Sequence, residues 1–318
     1  VQAATLAIPA LAKNILRFRK PDIKNPDMRA ALKKAPAITA GSLILPCSLL
    51  AATFFAPFIS AGAISTYNYA YNIFIIVSGI LTYGVCNYIF PKLSDVSGEE
   101  NGEAFRLLTQ NGIKSALLLV LPFSAGSIVL SQRIVEIIYL RGNFSQELAA
   151  DCASLFSVFA VAMPFFALYE TLIRAFYSKG IVRLPTVAAV VAVIVCIAAN
   201  PAFSAITGKS IVSLPLSFLA AQVAAAAVLL FGGAIKRGFF TAGTALDAAK
   251  AVFSALVCGV FMYFLDTFVG KIAIKNTFFK NFFVSAIVFL AGSVVYLICI
   301  YLFGLLPKGK HKAGREDS

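Results

Sequence analysis

The sequence predicts an all-α membrane protein, a polytopic bundle of about eight transmembrane helices. Its composition is 60% hydrophobic and only 13% charged, so a water-soluble domain would have more apolar surface than it could bury. The apolar residues are grouped into eight long stretches, and each approaches or exceeds the roughly 20 residues that cross a hydrocarbon core. The bilayer must therefore act as the solvent for most of the chain.

The eight predicted spans follow one another with short polar connections between them. An even number of crossings places both ends of this region on the same side of the membrane. In order, the spans are Pro36 to Phe58, Ile64 to Phe90, Ile113 to Leu130, Ala149 to Phe176, Thr186 to Phe203, Ile211 to Phe231, Ala248 to Phe268 and Phe282 to Leu306.

Lys and Arg residues are concentrated on one side of the predicted bundle. If successive spans alternate in direction, 21 of the 27 basic residues lie before the first span, in every second connection or at the span ends beside it, and in the tail. The positive-inside rule then puts both termini in the cytoplasm. The net charge of +13 lies beside apolar segments rather than on one soluble face. It therefore predicts that anionic membrane lipids are partners of the protein and that nucleic acid is not.

Four regions are predicted along the chain. Residues 1–16 are interpreted as the end of a preceding membrane helix, with an interfacial amphipathic helix as the alternative, and we expect further sequence upstream of Val1. Residues 17–35 form a basic cytoplasmic linker, the candidate domain boundary. Residues 36–306 form the transmembrane lobe of eight helices, and residues 307–318 form a basic cytoplasmic tail.

Two connections have a distinct character. Asp95 to Gln110 has the acidic and basic pattern of a short surface helix that leads into the third span. Ser131 to Gln146 should lie on the outer side of the membrane. Within it, Gly142 suits a turn, and Ser145 is a candidate cap for the helix that follows.

No catalytic or metal-binding constellation is found in the sequence. It has no His-Glu-x-x-His motif, no Gly-x-Ser-x-Gly elbow and no phosphate-binding glycine loop. Its one histidine, His311, lies in the tail. The six cysteines fall mostly within apolar stretches and form no Cys-x-x-Cys pair, which predicts small buried side chains. We therefore expect neither an enzyme nor a cofactor or metal site.

The second predicted span carries the largest set of polar residues. At steps of 3, 4, 7, 4 and 4, its members are Ser65, Asn68, Asn72, Gly79, Tyr83 and Asn87. This spacing keeps them near one helical face. Because a polar group without a partner in hydrocarbon is costly, the face should meet a water-filled cavity or other helices. Ser65, Asn68, Asn72 and Tyr83 are candidate cavity residues, and the alternative is hydrogen bonding between helices, with Gly79 permitting close packing.

The fourth predicted span contains an acidic and a basic residue, Glu170 and Arg174. They are four positions apart and share a face, where the two charges can neutralise each other. One interpretation is that the pair lines a path for an anionic or hydrated headgroup. The other is a structural ion pair near the cytoplasmic interface, with the Arg174 side chain extended toward water.

Three stretches resemble the MurJ (MviN) family of lipid II flippases. Gly62-Ala-Ile-Ser-Thr-Tyr-Asn-Tyr-Ala, with Gly79 and Phe90-Pro91-Lys92-Leu93-Ser94, is similar to the eighth helix of that family. Tyr139-Leu-Arg-Gly-Asn-Phe-Ser is similar to its loop before the tenth helix. Arg174-Ala-Phe-Tyr-Ser-Lys-Gly and Leu184-Pro185 are similar to the end of the tenth helix and the start of the next. The stretches occur in family order, so the resemblance covers nearly the whole chain.

This resemblance implies a fold, a cargo and a location. The family belongs to the multidrug/oligosaccharidyl-lipid/polysaccharide exporter superfamily, whose members have two lobes and work by alternating access. The chain would be mainly the C-terminal lobe. The implied cargo is lipid II, a polyprenyl diphosphate carrying a disaccharide pentapeptide, with a cationic cavity for the diphosphate and a groove at the last two helices for the polyprenyl tail. The implied location is the bacterial cytoplasmic (inner) membrane, with cell-wall synthesis proteins as candidate partners.

The sequence departs from the family pattern at two helices. Asn72 stands where the family usually has an arginine, and the stretch Leu45-Pro-Cys-Ser-Leu-Leu-Ala-Ala-Thr is almost apolar where Asn and Asp are common. A flippase for another lipid-linked oligosaccharide and a multidrug exporter of the same superfamily therefore remain alternatives, as does a membrane scaffold. An intramembrane enzyme would need clustered carboxylates, whereas Asp247 and Asp266 lie at opposite ends of one span.

Overall fold

A computed structural model describes residues 44–142, 144–270 and 277–305, together with residues 28, 29, 32, 35, 36 and 39. Across these ranges the secondary structure is helical, without a β-strand. Short 3-10 helices occur at Ala56–Phe58 and Glu99–Asn101, and a π-helical turn at Leu230–Ala234 extends α7. The α-helices are α1 (Ile44–Phe55), α2 (Ala63–Asp95), α3 (Gly102–Val129), α4 (Ser131–Tyr139), α5 (Gln146–Ser178), α6 (Arg183–Ile206), α7 (Ser213–Leu229), α8 (Ala242–Val269) and α9 (Thr277–Leu302).

Seven helices of the described ranges, α2, α3 and α5 to α9, are long and apolar enough to cross a bilayer. The first predicted span corresponds to a shorter apolar helix, Ile44–Phe58, before which only isolated positions are described. The prediction of an all-α polytopic membrane bundle is confirmed. The predictions for residues 1–16 and 307–318 lie outside the described residues, and the predicted linker at 17–35 is described only at isolated positions.

Two predicted connections contain more helix than expected. The helix predicted at Asp95 to Gln110 does lead into the third span, but it is the first part of α3, which begins at Gly102 and continues into that span without a break. The connection predicted to lie on the outer side contains α4, a nine-residue helix that buries Val135. The turn and the cap predicted in that connection are present. Gly142 has a φ of 58°, and Ser145 Oγ accepts a hydrogen bond from the Leu148 amide at 3.2 Å.

α5 forms the centre of the bundle and packs against α2, α3, α4 and α7. Three of these helices meet at the fully buried ring of Phe159. Its centroid lies 5.4 Å from that of Phe74 in α2 and 5.3 Å from that of Phe218 in α7. Since the middle of α5 is surrounded by other helices, a charged side chain that is buried there must find its partner inside the protein.

Free thiols are distributed through these packed helices. Cys86, Cys152, Cys196 and Cys258 are buried, whereas Cys47 and Cys299 are half-buried. The prediction of small buried side chains is therefore confirmed for the first four.

α8 and α9 form the periphery of the bundle. α8 packs against α3 and α9, and α9 also packs against α4. Their outer faces expose large apolar side chains, among them Phe264, Phe268, Leu290 and Leu297. In a membrane protein such a face is covered by lipid.

Close packing between α8 and α9 depends on Gly292. A side chain at this position would overlap the buried Met262 of α8. The Gly292 carbonyl also accepts a hydrogen bond from Cys258 Sγ, at 3.1 Å. Small residues at helix interfaces allow two helices to approach closely. Such close packing stabilises helix pairs in a membrane, where lipid supplies no hydrophobic force between apolar helices.

Gly292→Leu is expected to destabilise the α8–α9 pair by about 1–3 kcal/mol, the usual effect of overpacking a filled interior. The measurement is the temperature at which half of the detergent-purified protein leaves the monodisperse size-exclusion peak. Gly84→Leu is the matched control, because Gly84 lies at an exposed position of α2 and a Cβ atom added there meets nothing within 4 Å. Equal effects of the two substitutions would contradict a specific role for Gly292.

Side chains link the helices at what we call the basic end of the bundle, which contains the connections after α2, α5 and α7. Lys114 Nζ of α3 lies 2.8 Å from Asp247 Oδ2 of α8. Lys179 Nζ, just after α5, donates to the Ser97 carbonyl at 2.8 Å. These contacts join α3 to α8 and α5 to the connection before α3. The other end of the bundle, which contains α4, is called the opposite end.

Candidate functional site

A cavity of about 490 Å³ lies between α1, α2, α5 and α7, toward the basic end of the bundle. Aromatic and apolar side chains form most of its wall and a few polar groups the rest, which is the usual composition of a ligand pocket. The lining residues are Ile44, Leu45, Tyr83, Asn87, Phe90, Phe166, Tyr169, Glu170, Ile173, Arg174, Tyr177 and Gln222.

Glu170 and Arg174 form an ion pair on the cavity side of α5. Arg174 Nη1 donates to Glu170 Oε2 at 2.5 Å and to the Glu170 carbonyl at 3.0 Å. The Arg174 and Glu170 side chains are only 21% and 16% exposed. Two largely buried charges therefore compensate each other, and loss of either would leave the other in a poorly hydrated place.

Tyr83 connects α2 to the same ion pair. Its ring centroid lies 5.3 Å from Arg174 Cζ and 6.0 Å from the ring centroid of Phe166. A cation over the face of an aromatic ring is attracted by the ring quadrupole. Arg174 is thus positioned by a carboxylate of its own helix and a ring of the neighbouring helix. The cavity brings together three of the six predicted site residues, Tyr83, Glu170 and Arg174.

The other three predicted site residues, Ser65, Asn68 and Asn72, lie nearer the beginning of α2 and do not line this cavity. Ser65 and Asn72 are exposed, and Asn68 is half-buried. The exposed Ile76 occupies the same face between Asn72 and Tyr83. The polar face of α2 therefore has one part in the cavity and another on a surface that the described helices leave uncovered.

Sequence patterns do not identify two further polar groups of the cavity. Gln222 of α7 is fully buried, and neither of its amide atoms has a hydrogen-bond partner within residues 44–142, 144–270 and 277–305. Tyr177 Oη is also buried and lacks a partner in the same ranges. A glutamine within the apolar run of α7 is itself a signal, because polar groups inside a span are costly. Its position on the same cavity wall as Glu170 follows only from the packing of α7 on α5.

A second polar cluster lies at the opposite end, around α4. Arg133 donates from Nε to Asp266 Oδ1 of α8 at 2.7 Å and from Nη1 to Asn281 Oδ1 of α9 at 2.9 Å. Asn281 Nδ2 donates to Glu136 Oε2 at 2.6 Å, and Gln146 Nε2 of α5 donates to Glu136 Oε1 at 2.6 Å. α4 thus connects the central helix to both peripheral helices.

α4 also contacts the beginning of α2. Tyr139 Oη donates to the Tyr69 carbonyl at 3.2 Å, and the two ring centroids are 4.9 Å apart. Partial burial raises the pKa of Tyr139 further above neutrality.

The chemistry of the cavity is charge pairing and hydrogen bonding. Its described lining offers one guanidinium, one carboxylate, two carboxamides and three phenols. Among the residues that the structure describes, no group of three or more His, Cys, Asp or Glu side chains could hold a metal ion. Such a lining is suited to holding a polar, hydrated group.

The sequence of this chain is similar to those of lipid II flippases. The family model described as "Lipid II flippase MurJ" matches residues 1–289. A probable lipid II flippase MurJ of Aquifex aeolicus is 29% identical over 205 residues, which are 64% of this chain and 39% of that protein. The corresponding protein of Buchnera aphidicola is 24% identical over 293 residues, which are 92% of this chain and 56% of that protein. The chain thus spans roughly half of these relatives' length or less.

A solved structure has the same arrangement of helices. It is described as lipid II flippase MurJ in an inward closed conformation, and it superposes with a TM-score of 0.68 at 20% sequence identity. The superposition covers 84% of this chain and 52% of that chain. At this identity the likeness shows the fold.

Proposed function

Since the chain belongs to the family of lipid II flippase MurJ, we propose that it forms part of a transporter that moves lipid II from the inner to the outer leaflet by alternating access, without a chemical reaction on the cargo. Lipid II carries a polar headgroup and a long apolar tail, which need different environments during the crossing. The peptidoglycan precursor would be delivered by this movement to the side where the cell wall is built.

The observation that carries this proposal is the cavity around Glu170 and Arg174. Charged side chains in a membrane-spanning helix commonly face a water-filled path and mark the route of a polar substrate. Here the pair lies beside Tyr83, Asn87 and Gln222, so the wall can exchange hydrogen bonds with a hydrated headgroup. The polar residues Ser65, Asn68 and Asn72 would extend this path along α2.

The apolar faces of α8 and α9 support a role for the periphery in holding the tail. Their exposed side chains include Phe264, Phe268, Leu290 and Leu297, and a polyprenyl chain could lie along them while the headgroup occupies the cavity. Alternating access would then require movement of this bundle relative to a second lobe.

The proposal includes an orientation in the bacterial cytoplasmic membrane, with the basic end facing the cytoplasm. Lys92, Arg106, Lys179, Arg183 and Arg237 lie near that end, and anionic headgroups attract such residues by about 1 kcal/mol each. Cell-wall synthesis proteins would act before and after the transporter, and are candidate partners for the same reason.

The test is rescue of bacteria depleted of their own lipid II flippase by the gene that encodes this chain. We expect restored exposure of lipid II on the outer leaflet, measured by labelling or cleavage from outside intact cells. An empty vector and a known lipid II flippase are the two controls. Protein present in the membrane without restored exposure would contradict lipid II as the cargo. That result would favour another lipid-linked oligosaccharide, in line with Asn72 at the position where the family usually has an arginine.

A further inference from the structure

We propose that the cavity between α2, α5 and α7 binds an uncharged sugar portion of the cargo headgroup rather than its diphosphate, and that Gln222 supplies hydrogen bonds to sugar hydroxyl or amide groups. This inference rests on the proposed function. It assigns a part of the substrate to this cavity and a specificity role to a residue of α7.

The first argument is the charge of the cavity. Among the described lining residues, Arg174 is the cation and Glu170 the anion, and their side chains are in direct contact. A diphosphate is held by unbalanced cations with several free N–H donors. The guanidinium here is already directed at a carboxylate and a backbone carbonyl of α5. The paired charges leave this lining without net positive charge.

The second argument is the state of Gln222. Its side chain is fully buried, yet neither the amide nitrogen nor the amide oxygen has a partner within the described ranges. Leaving such a group without a hydrogen-bond partner destabilises the folded protein. A carboxamide both donates and accepts hydrogen bonds, and so does a sugar hydroxyl. A sugar can satisfy both atoms, whereas a fully ionised phosphate can only accept.

The third argument is the rest of the wall. Tyr177 Oη, also buried and without a described partner, adds a hydroxyl that can donate or accept. Asn87 adds a second carboxamide, and Tyr83 and Phe90 add ring surface. The volume of about 490 Å³ lies within the usual range of small-ligand pockets. Neutral polar groups among aromatic rings match a ligand with many hydroxyls and no charge.

The experiment compares two probes on the purified protein in detergent: lipid II and a polyprenyl diphosphate that carries no sugar. Gln222→Leu is expected to weaken binding of lipid II about tenfold, which corresponds to about 1.4 kcal/mol, and to leave binding of the sugar-free probe unchanged. Tyr177→Phe removes only one oxygen and is expected to weaken lipid II binding about threefold, in the range of one hydrogen bond. It keeps the test valid if Gln222→Leu does not fold.

The matched control is Thr82→Val. Thr82 is fully buried, and its hydroxyl has no partner in the described ranges, but it does not line the cavity. The Thr82→Val variant should bind both probes with the same affinity as the unchanged protein. If the Gln222 and Tyr177 variants bind lipid II normally, or lose both probes equally, the sugar assignment is overturned while the proposed function stands. If the unchanged protein binds no lipid II, the proposed function fails and the inference with it.

Discussion

Arg174→Leu is expected to abolish rescue of flippase-depleted bacteria and to lower the stability of the folded protein by about 2–4 kcal/mol. The physical reason is that Glu170 would remain in the cavity wall without its cation. Breaking a buried ion pair costs about 3–5 kcal/mol and an exposed one about 0–1, and these side chains are 21% and 16% exposed. The measurements are lipid II exposure in cells and thermal stability of the purified protein. Normal exposure at normal protein levels would contradict a role for Arg174 in transport.

A charge swap separates the structural contribution of the pair from its contribution to transport. In the double variant Glu170→Arg with Arg174→Glu, the two charges remain four residues apart and can still pair. We expect this variant to regain most of the lost stability. Transport should remain defective, because the guanidinium no longer lies against the ring of Tyr83. Recovery of both properties would show that only the neutrality of the pair matters.

Arg133→Leu is the second change with a large expected effect, on stability rather than on cargo recognition. It removes three hydrogen bonds at once and leaves the Asp266 carboxylate and one side of the Asn281 amide without their donor. The Arg133 and Asp266 side chains are 18% and 24% exposed, so we expect a loss of about 2–4 kcal/mol, between the values for exposed and buried pairs. The measurement is thermal stability together with the rate at which protease cleaves between α8 and α9.

Arg141→Leu provides the control for this prediction. Arg141 lies just after α4 at the same end of the bundle, but it is exposed; its guanidinium donates to the carbonyl of Ile137, and its Cζ lies 5.8 Å from the ring centroid of Phe278. Its loss should change stability by no more than about 1 kcal/mol, because its contacts are those of an exposed surface side chain. If both arginine variants were equally stable, the polar cluster around α4 would not anchor the peripheral helices.

The helices were predictable because a membrane imposes a simple rule on sequence. A span must be apolar over its whole length, so hydropathy alone identifies α2, α3 and α5 to α9. The pairing of Glu170 with Arg174 was predictable for another local reason, since a spacing of four fixes the relative direction of two side chains on a helix. α4 escaped prediction because its nine residues are too short to form a span and its polar residues resemble a loop.

Contacts between distant helices could not be read from the sequence. Spacing places Asp247 and Asp266 at opposite ends of α8 but gives no information about which residues of α3 and α4 will face them. Gln222 illustrates the same limit for the candidate site. The sequence shows that a polar side chain lies within an apolar span, where its burial is unfavourable. Its position on the cavity wall depends on how α7 packs against α5.

The division of the α2 face has a similar origin. Helical periodicity correctly groups Ser65, Asn72 and Tyr83 on one side of the helix, but it does not say where neighbouring helices begin and end along that side. Only the part near Tyr83 lies against α5 and α7 in the described bundle. A pattern along one helix therefore predicts a direction, and the surrounding helices decide which part of it becomes a pocket.

The two ion pairs of α8 have a consequence for biosynthesis. Lys114 and Asp247 are separated by 133 residues along the chain, and so are Arg133 and Asp266. At about 5–20 residues per second, a ribosome needs roughly 7–27 seconds to add the carboxylates after the cations. During this interval, water or lipid headgroups must solvate both cations at the two membrane surfaces. Insertion of α8 then brings both carboxylates to these cations. The positive charges of α3 and α4 are therefore neutralised only after α8 has been synthesised.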